Sequence, residues 1–96
     1  MDMQEIINVL KGLNHETRTR FKAQVKGVFG SLARGEENEE SDLDVLVEFM
    51  SGATLLDLAG LGLYLEEKCG RPVDIVPIDT LRVEMKQRIM DDAILI

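Results

Sequence analysis

Residues 42–49, DLDVLVEF, constrain the fold more than any other stretch of the chain. Read as a strand, they put Leu43, Val45, Val47 and Phe49 on one face and Asp42, Asp44, Leu46 and Glu48 on the other. The first face is wholly apolar and needs a cover of helices. The second opens with two acids and is excluded from the core at that end. A sheet with one buried face and one wet, acidic end is the expectation.

The flanking elements fit that frame. Residues 2–20 read as a helix with an apolar stripe of Ile6, Ile7, Val9, Leu10 and Leu13. Asp2 stands at its cap or in its first turn. Gly12 and Asn14 weaken its middle, where a break is possible. QVKGVF, 24–29, reads as a buried strand that Gly30 ends, and Ser31 opens a short helix, SLARG, that Gly35 closes. The acidic run EENEES, 36–41, is a solvated loop rather than a metal cluster, because glutamates on a loop have no fixed geometry.

Past the aspartate strand, ATLLDLAGLGLYLEEKC is a helix stopped by Gly70 and apolar on more than one stripe. Either it has neighbours on both flanks, or an outer face, with Tyr64, docks a partner. PVDIVP, 72–77, is a third strand. Asp79 or Thr80 is expected to cap a last helix through 81–94, with Leu81, Met85, Ile89 and Ala93 on one face. The apolar end, Ile94-Leu95-Ile96, must bury in this chain or against another. The predicted order is α-β-α-β-α-β-α: an α/β (α+β) domain with a small mixed sheet flanked by helices. A long helical crossover makes the second and third strands parallel, and the shorter link before them permits an antiparallel first pair.

Ninety-six residues give one domain, 1–96, with one core. A net charge of −7 argues against direct nucleic-acid binding through phosphates, whose affinity comes largely from counterion release. An acidic chain still takes a nucleotide if Mg²⁺ bridges the two negative partners. One cysteine, Cys69, excludes an internal disulfide and fits a cytoplasmic setting, where it reads as semi-buried filler rather than a nucleophile. His15 reads as solvent-facing. The N-terminus lacks the pattern of a signal peptide, and the most apolar segment, 55–65, is too short and too interrupted for a membrane span.

Asp42 and Asp44, two apart on a strand, point the same way about 6–7 Å apart at the backbone. Their carboxylates can lean onto divalent ions about 3.5–4 Å apart. Mg²⁺ prefers such hard oxygens, together with substrate phosphates. Asp-x-Asp alone also describes an exposed strand edge. The upstream Gly30-Ser31 adds a second feature, since main-chain N–H groups at a helix start form an anion site and Ser31 contributes a hydroxyl. Arg34, one turn on, is placed to reach a phosphate oxygen or to pin the aspartate strand by a salt bridge. Asp74, alone in the apolar Val73-Asp74-Ile75-Val76, suits a third carboxylate and base, because an acid there is unfavourable without a cation. The competing reading is an edge-strand acid on a wet face.

Gly30-Ser31-x-x-Arg34-Gly35, a five-residue spacer, Ser41-Asp42-x-Asp44 and the later Val-Asp-Ile-Val together resemble the signature of the minimal nucleotidyltransferases, within the DNA polymerase beta-like superfamily. The resemblance covers nearly the whole chain. It implies a mixed sheet flanked by helices and transfer of AMP from ATP with Mg²⁺, as two ions. Carried over, Gly30 and Ser31, with Arg34 beside them, hold the triphosphate, Asp42 and Asp44 bind metal, and Asp74 is the third ligand and base. Minimal members resemble the antitoxin partner of a small helical HEPN-type toxin, on which a tyrosine receives AMP. Two other readings stand beside this one: a non-catalytic module that occludes its partner, and transfer to a small molecule or a nucleic-acid 3′ end. Homo-oligomers are compatible with any of them.

Overall fold

The protein is described from a computed structural model, which covers residues 2–30 and 42–96. The elements are helix α1 (Met3–Phe21), strands β1 (Ala23–Phe29) and β2 (Leu43–Phe49), helix α2 (Leu55–Cys69), strand β3 (Val73–Pro77), a 3₁₀ turn (Ile78–Thr80), helix α3 (Val83–Asp92) and strand β4 (Ile94–Leu95). The sheet order is β3-β2-β1-β4, with β2 and β3 parallel and the pairs β1–β2 and β1–β4 antiparallel. This is a mixed sheet in an α/β domain, as the pattern of elements predicts. The expected helix at Ser31–Gly35 and the acidic run 36–41 lie outside the described residues.

Helices α1 and α2 cover one face. Ile6 and Leu10 of α1 and Leu61, Leu65 and Cys69 of α2 pack on Ala23, Val25 and Val28 of β1 and on Leu43, Val45 and Val47 of β2. Burying one such aliphatic side chain contributes about 1.5–3 kcal/mol, so this layer is the main favourable term. Both helices start on capping boxes. Asp2 accepts from the Glu5 N–H, and Thr54 accepts from the Asp57 N–H, with the acid at N3 answering in each case.

Helix α1 is not broken at Gly12 or Asn14. The Asn14 side chain accepts from the Val25 N–H at 2.9 Å and donates to the Val25 carbonyl at 3.5 Å. It satisfies the edge of β1 beyond the reach of β4, which offsets its low helix propensity. Next to Val25 the ladder shifts register. Val25 faces Val47 and Gly27 faces Leu46, leaving Lys26 as the extra residue of a β-bulge. The bulge explains why the buried residues of β1 run 23, 25, 27, 28 rather than in strict alternation.

Two expectations for the C-terminal third are corrected. Neither Asp79 nor Thr80 caps the last helix. Both belong to the 3₁₀ turn, where the Thr80 hydroxyl donates back to the Pro77 carbonyl at 2.8 Å. The N-cap of α3 is Arg82, with no side-chain cap bond. Leu81 therefore precedes the helix, and none of the α3 side chains is fully buried. The apolar end is settled within the chain. Ile94 and Leu95 form a fourth strand against Val28 and Gly27, and the Ile96 N–H donates to the Lys26 carbonyl at 2.9 Å. Gly27 makes this possible, since a Cβ there would stand 2.8 Å from the Ile94 carbonyl oxygen.

Candidate active site

The face of the sheet away from α1 and α2 carries the acids. Asp44 and Asp74 are register partners in the parallel pair β2–β3. Partners in a parallel ladder share a face, and neighbouring strands lie about 4.8 Å apart. Asp42 precedes β2 by one residue, two positions before Asp44 and on its side by alternation. The pairing already holds there, since the Leu43 N–H donates to the Pro72 carbonyl at 2.9 Å. Asp42 and Asp74 are exposed and Asp44 is half-buried. All three stand at the N-terminal ends of β2 and β3.

The C-terminal end of β1 arrives at the same corner. Phe29 is the register partner of Asp44 on its other flank, so Asp44 lies between Phe29 and Asp74. Gly30 follows at φ +83°, in the left-handed region that favours glycine. Its missing side chain leaves the place that the Asp44 Oδ2 takes, and a Cβ at residue 30 would also stand 3.2 Å from the Asp44 Cγ. The glycine thus has two local causes: the backbone angle and the approach of a carboxylate.

Of the sequence-derived site residues, the structure brings Gly30, Asp42, Asp44 and Asp74 to one corner. Ser31 and Arg34 lie outside the described residues. As the side chains stand, no three His, Cys, Asp or Glu among the described residues gather closely enough to hold a metal. The convergence is one of backbone positions on adjacent strands. The donor set is all carboxylate oxygen, which suits Mg²⁺ rather than a softer metal.

Cys69 takes no part in this corner. It is buried in the helix layer, and burial pushes its thiol above the usual range against a smaller opposing pull from the Arg71 guanidinium. His15 is exposed, as expected. Tyr64 is half-buried and packs on Phe21 with ring centroids 5.4 Å apart, and the Arg20 guanidinium lies 4.9 Å from its ring. It is an anchor of the α1–α2 contact rather than part of a free outer face. That face instead consists of Leu55, Leu56 and Leu63, which are 82%, 83% and 70% exposed. A groove of about 310 Å³ beside it, lined by Phe49, Leu55, Leu58 and Pro77 among others, opens at the opposite end of the sheet from the acids. No described helix is long and apolar enough to cross a membrane.

Comparison with known proteins places the chain in a family. The nucleotidyltransferase domain model matches residues 10–96. Protein adenylyltransferase MntA of Thermococcus cleftensis is 35% identical over 94 residues, covering 98% of this chain and 95% of its own. A Methanocaldococcus jannaschii protein provisionally named a protein adenylyltransferase is 45% identical over 67 residues, 70% of this chain and 72% of its own. A solved structure provisionally named a minimal nucleotidyltransferase superposes with a TM-score of 0.81 at 40% identity, over 98% of this chain and 95% of that one. A crystal structure of a toxin-antitoxin with AMP-PNP superposes with a TM-score of 0.69 over 99% of this chain and 72% of that one. At 21% identity that last likeness is one of fold.

Proposed function

The chain belongs to the nucleotidyltransferase domain family and is a nucleotidyltransferase, and from that premise we propose that it moves AMP from Mg·ATP to a tyrosine hydroxyl on a small helical toxin of the HEPN type. The observation that carries the reading is the corner where Asp44 and Asp74 stand abreast beside Gly30. The names of the relatives supply the reaction class, protein adenylylation. The toxin–antitoxin neighbour supplies the kind of partner. The acidic, single-cysteine chain fits cytoplasmic work on such a partner.

The residues fit a divalent ion. Asp42 and Asp44 would hold it and Asp74 would complete the carboxylate set. When bound, Mg²⁺ neutralises the triphosphate and lowers the pKa of the attacking hydroxyl. The chain's own groups do the rest. Gly30 turns the backbone and leaves room for the Asp44 carboxylate, and with Ser31 and Arg34 it is assigned to the phosphates. Asp74 accepts the proton of the tyrosine hydroxyl. The freed oxygen bonds to the α-phosphorus as the bond to pyrophosphate breaks. The product is a phosphodiester on the tyrosine.

The test is incubation of the chain with its cognate toxin, Mg²⁺ and ATP labelled at the α-phosphate. Label on the toxin that disappears in Asp42→Asn/Asp44→Asn is the expected result. Label that persists in that variant refutes the assignment.

One observation favours a second reading. The exposed leucines of α2 suit a module that silences its partner by covering it. In that case the double variant still neutralises the toxin at a stoichiometric dose.

A further inference from the structure

Tyr64 is the single tyrosine of the chain. Its ring is held in place. It packs on Phe21 at an interplanar angle of 47°, with the Arg20 guanidinium 4.9 Å and the Lys68 ammonium 5.6 Å from its centroid. The hydroxyl is left over. A buried tyrosine usually spends that group on a hydrogen bond, but this one makes none within the described residues and is not sealed from solvent. We propose that Tyr64 is itself an acceptor of AMP, modified in trans by the carboxylate corner of a second copy of this chain. The proposal rests on the transfer reading above and adds a second acceptor to it.

Transfer to oxygen needs a hydroxyl that is unengaged and able to lose its proton. The threonine hydroxyls do not qualify. Thr17, Thr19 and Thr80 each donate to a main-chain carbonyl, and Thr54 donates to Asp57. Ser51 is exposed, but an alcohol is a far weaker acid than a phenol, which ionises near about pH 10. Tyr64 meets both conditions. It cannot reach its own carboxylates, because α2 packs on the sheet face opposite Asp44 and Asp74 and the sheet stands between them. The donor site must therefore belong to another molecule. Asp42 and Asp74 are exposed, so that site is open to a hydroxyl carried on the side of a helix.

Charge permits the encounter. Two copies of net charge −7 repel each other over most of their surfaces. Around Tyr64 the charges balance. Arg20 and Lys68 stand against Glu16, which lies 4.0 Å from Arg20 in an exposed and therefore weak pair, and Glu67, three residues from Tyr64 on α2. The acid corner of a second copy meets two cations here and no excess of like charge. In the step itself, Asp74 of the second copy accepts the phenol proton. The phenol oxygen bonds to the α-phosphorus of the ATP held there, and the bond to pyrophosphate breaks. The new phosphodiester is an anion, and Arg20 and Lys68 lie beside it.

The test is incubation of the whole chain, without any partner, in Mg²⁺ and ATP labelled at the α-phosphate, followed by peptide mass spectrometry. The expected result is AMP on Tyr64, formed at a rate that rises with the square of the chain concentration and lost in Tyr64→Phe. That variant keeps the ring and its packing on Phe21, and a melting curve equal to wild type confirms that it folds. A mixing experiment fixes the direction of transfer. Asp42→Asn/Asp44→Asn, which keeps Tyr64, should be labelled when mixed with Tyr64→Phe, which keeps the carboxylates, and neither variant should be labelled alone. Label that stays on Tyr64→Phe, or a double variant that stays unlabelled in the mixture while wild type is labelled, overturns the proposal. So does wild-type chain that labels its cognate toxin and never itself, and in that case the transfer reading stands. Label on neither the toxin nor the chain overturns both.

Discussion

The carboxylate of Asp44 occupies the place where a side chain on Gly30 would begin. Two chain segments that are joined through residues 31–41 are thereby locked at van der Waals contact. Gly30→Ala is expected to cost about 1–3 kcal/mol through the positive φ alone. Its larger effect is displacement of Asp44. A misplacement near 1 Å costs on the order of a hundredfold in rate, so AMP transfer should fall further than the shift in urea midpoint would suggest. Equal, small losses in both measurements would show that Asp44 is not a catalytic group.

Asp74 separates chemistry from binding. Asp74→Asn keeps the shape and removes the base, and general-base catalysis contributes about 10²–10⁴-fold. Labelled transfer should drop by that order while ATP still binds. The melting temperature should hold or rise slightly, because one of two like charges on adjacent strands has been removed.

Asn14 and Gly12 lie two residues apart on α1 and predict opposite signs. Asn14→Ala leaves the Val25 N–H without its partner and is expected to destabilise by about 1–3 kcal/mol. A methyl at Gly12 meets nothing within 4 Å. Gly12→Ala should therefore stabilise by up to about 1 kcal/mol from helix propensity. Urea unfolding of the two variants checks both.

Cys69 gives a pH dependence. Its thiol pKa is raised in the folded chain, first by burial, with Arg71 opposing. A raised folded pKa means that the native state holds the proton more tightly than the unfolded chain. The stabilisation is complete below the unfolded thiol pKa and is lost as pH rises through the folded one. Unfolding free energy should decline in the alkaline range above about pH 8.5, and less so in Cys69→Ala. Below that range a disulfide reagent such as Ellman's should react slowly with native chain and fast in denaturant.

The exposed leucines of α2 test the partner. Leu55→Ser/Leu56→Ser removes two large apolar side chains that contribute little to the core. Stability should change by no more than about 0.5 kcal/mol, and ATP binding should be intact. Affinity for the proposed toxin partner, read by surface plasmon resonance, should fall at least about tenfold if these residues anchor it.

Much of this architecture was legible in residue order because local signals agreed with each other. Asp2 marked the start of α1, Gly70 marked the end of α2, and the helical crossover made β2 and β3 parallel, the arrangement that lets Asp74 stand beside Asp44. What escaped depended on distant pairing. The Lys26 bulge cannot be seen until β2 is laid against β1. The fourth strand is two residues long and exists because Gly27, nearly seventy positions earlier, lets Ile94 and Leu95 approach. Thr80 looked like a helix cap, but its hydroxyl turned back to Pro77. A groove between the sheet and α3, lined by Lys26, Glu48 and Lys86 among others, follows from those long-range contacts, so no window of sequence announced it.

The leucines on α2 and the acids on β2 and β3 look out from opposite sides of one thin sheet. On the proposed reading, a target gripped from behind can offer its tyrosine to that same molecule only by reaching round an edge. Two molecules relieve the difficulty: one clasps while the other modifies. On that reading, the ratio of this chain to its target would then decide between restraint and lasting chemical inactivation.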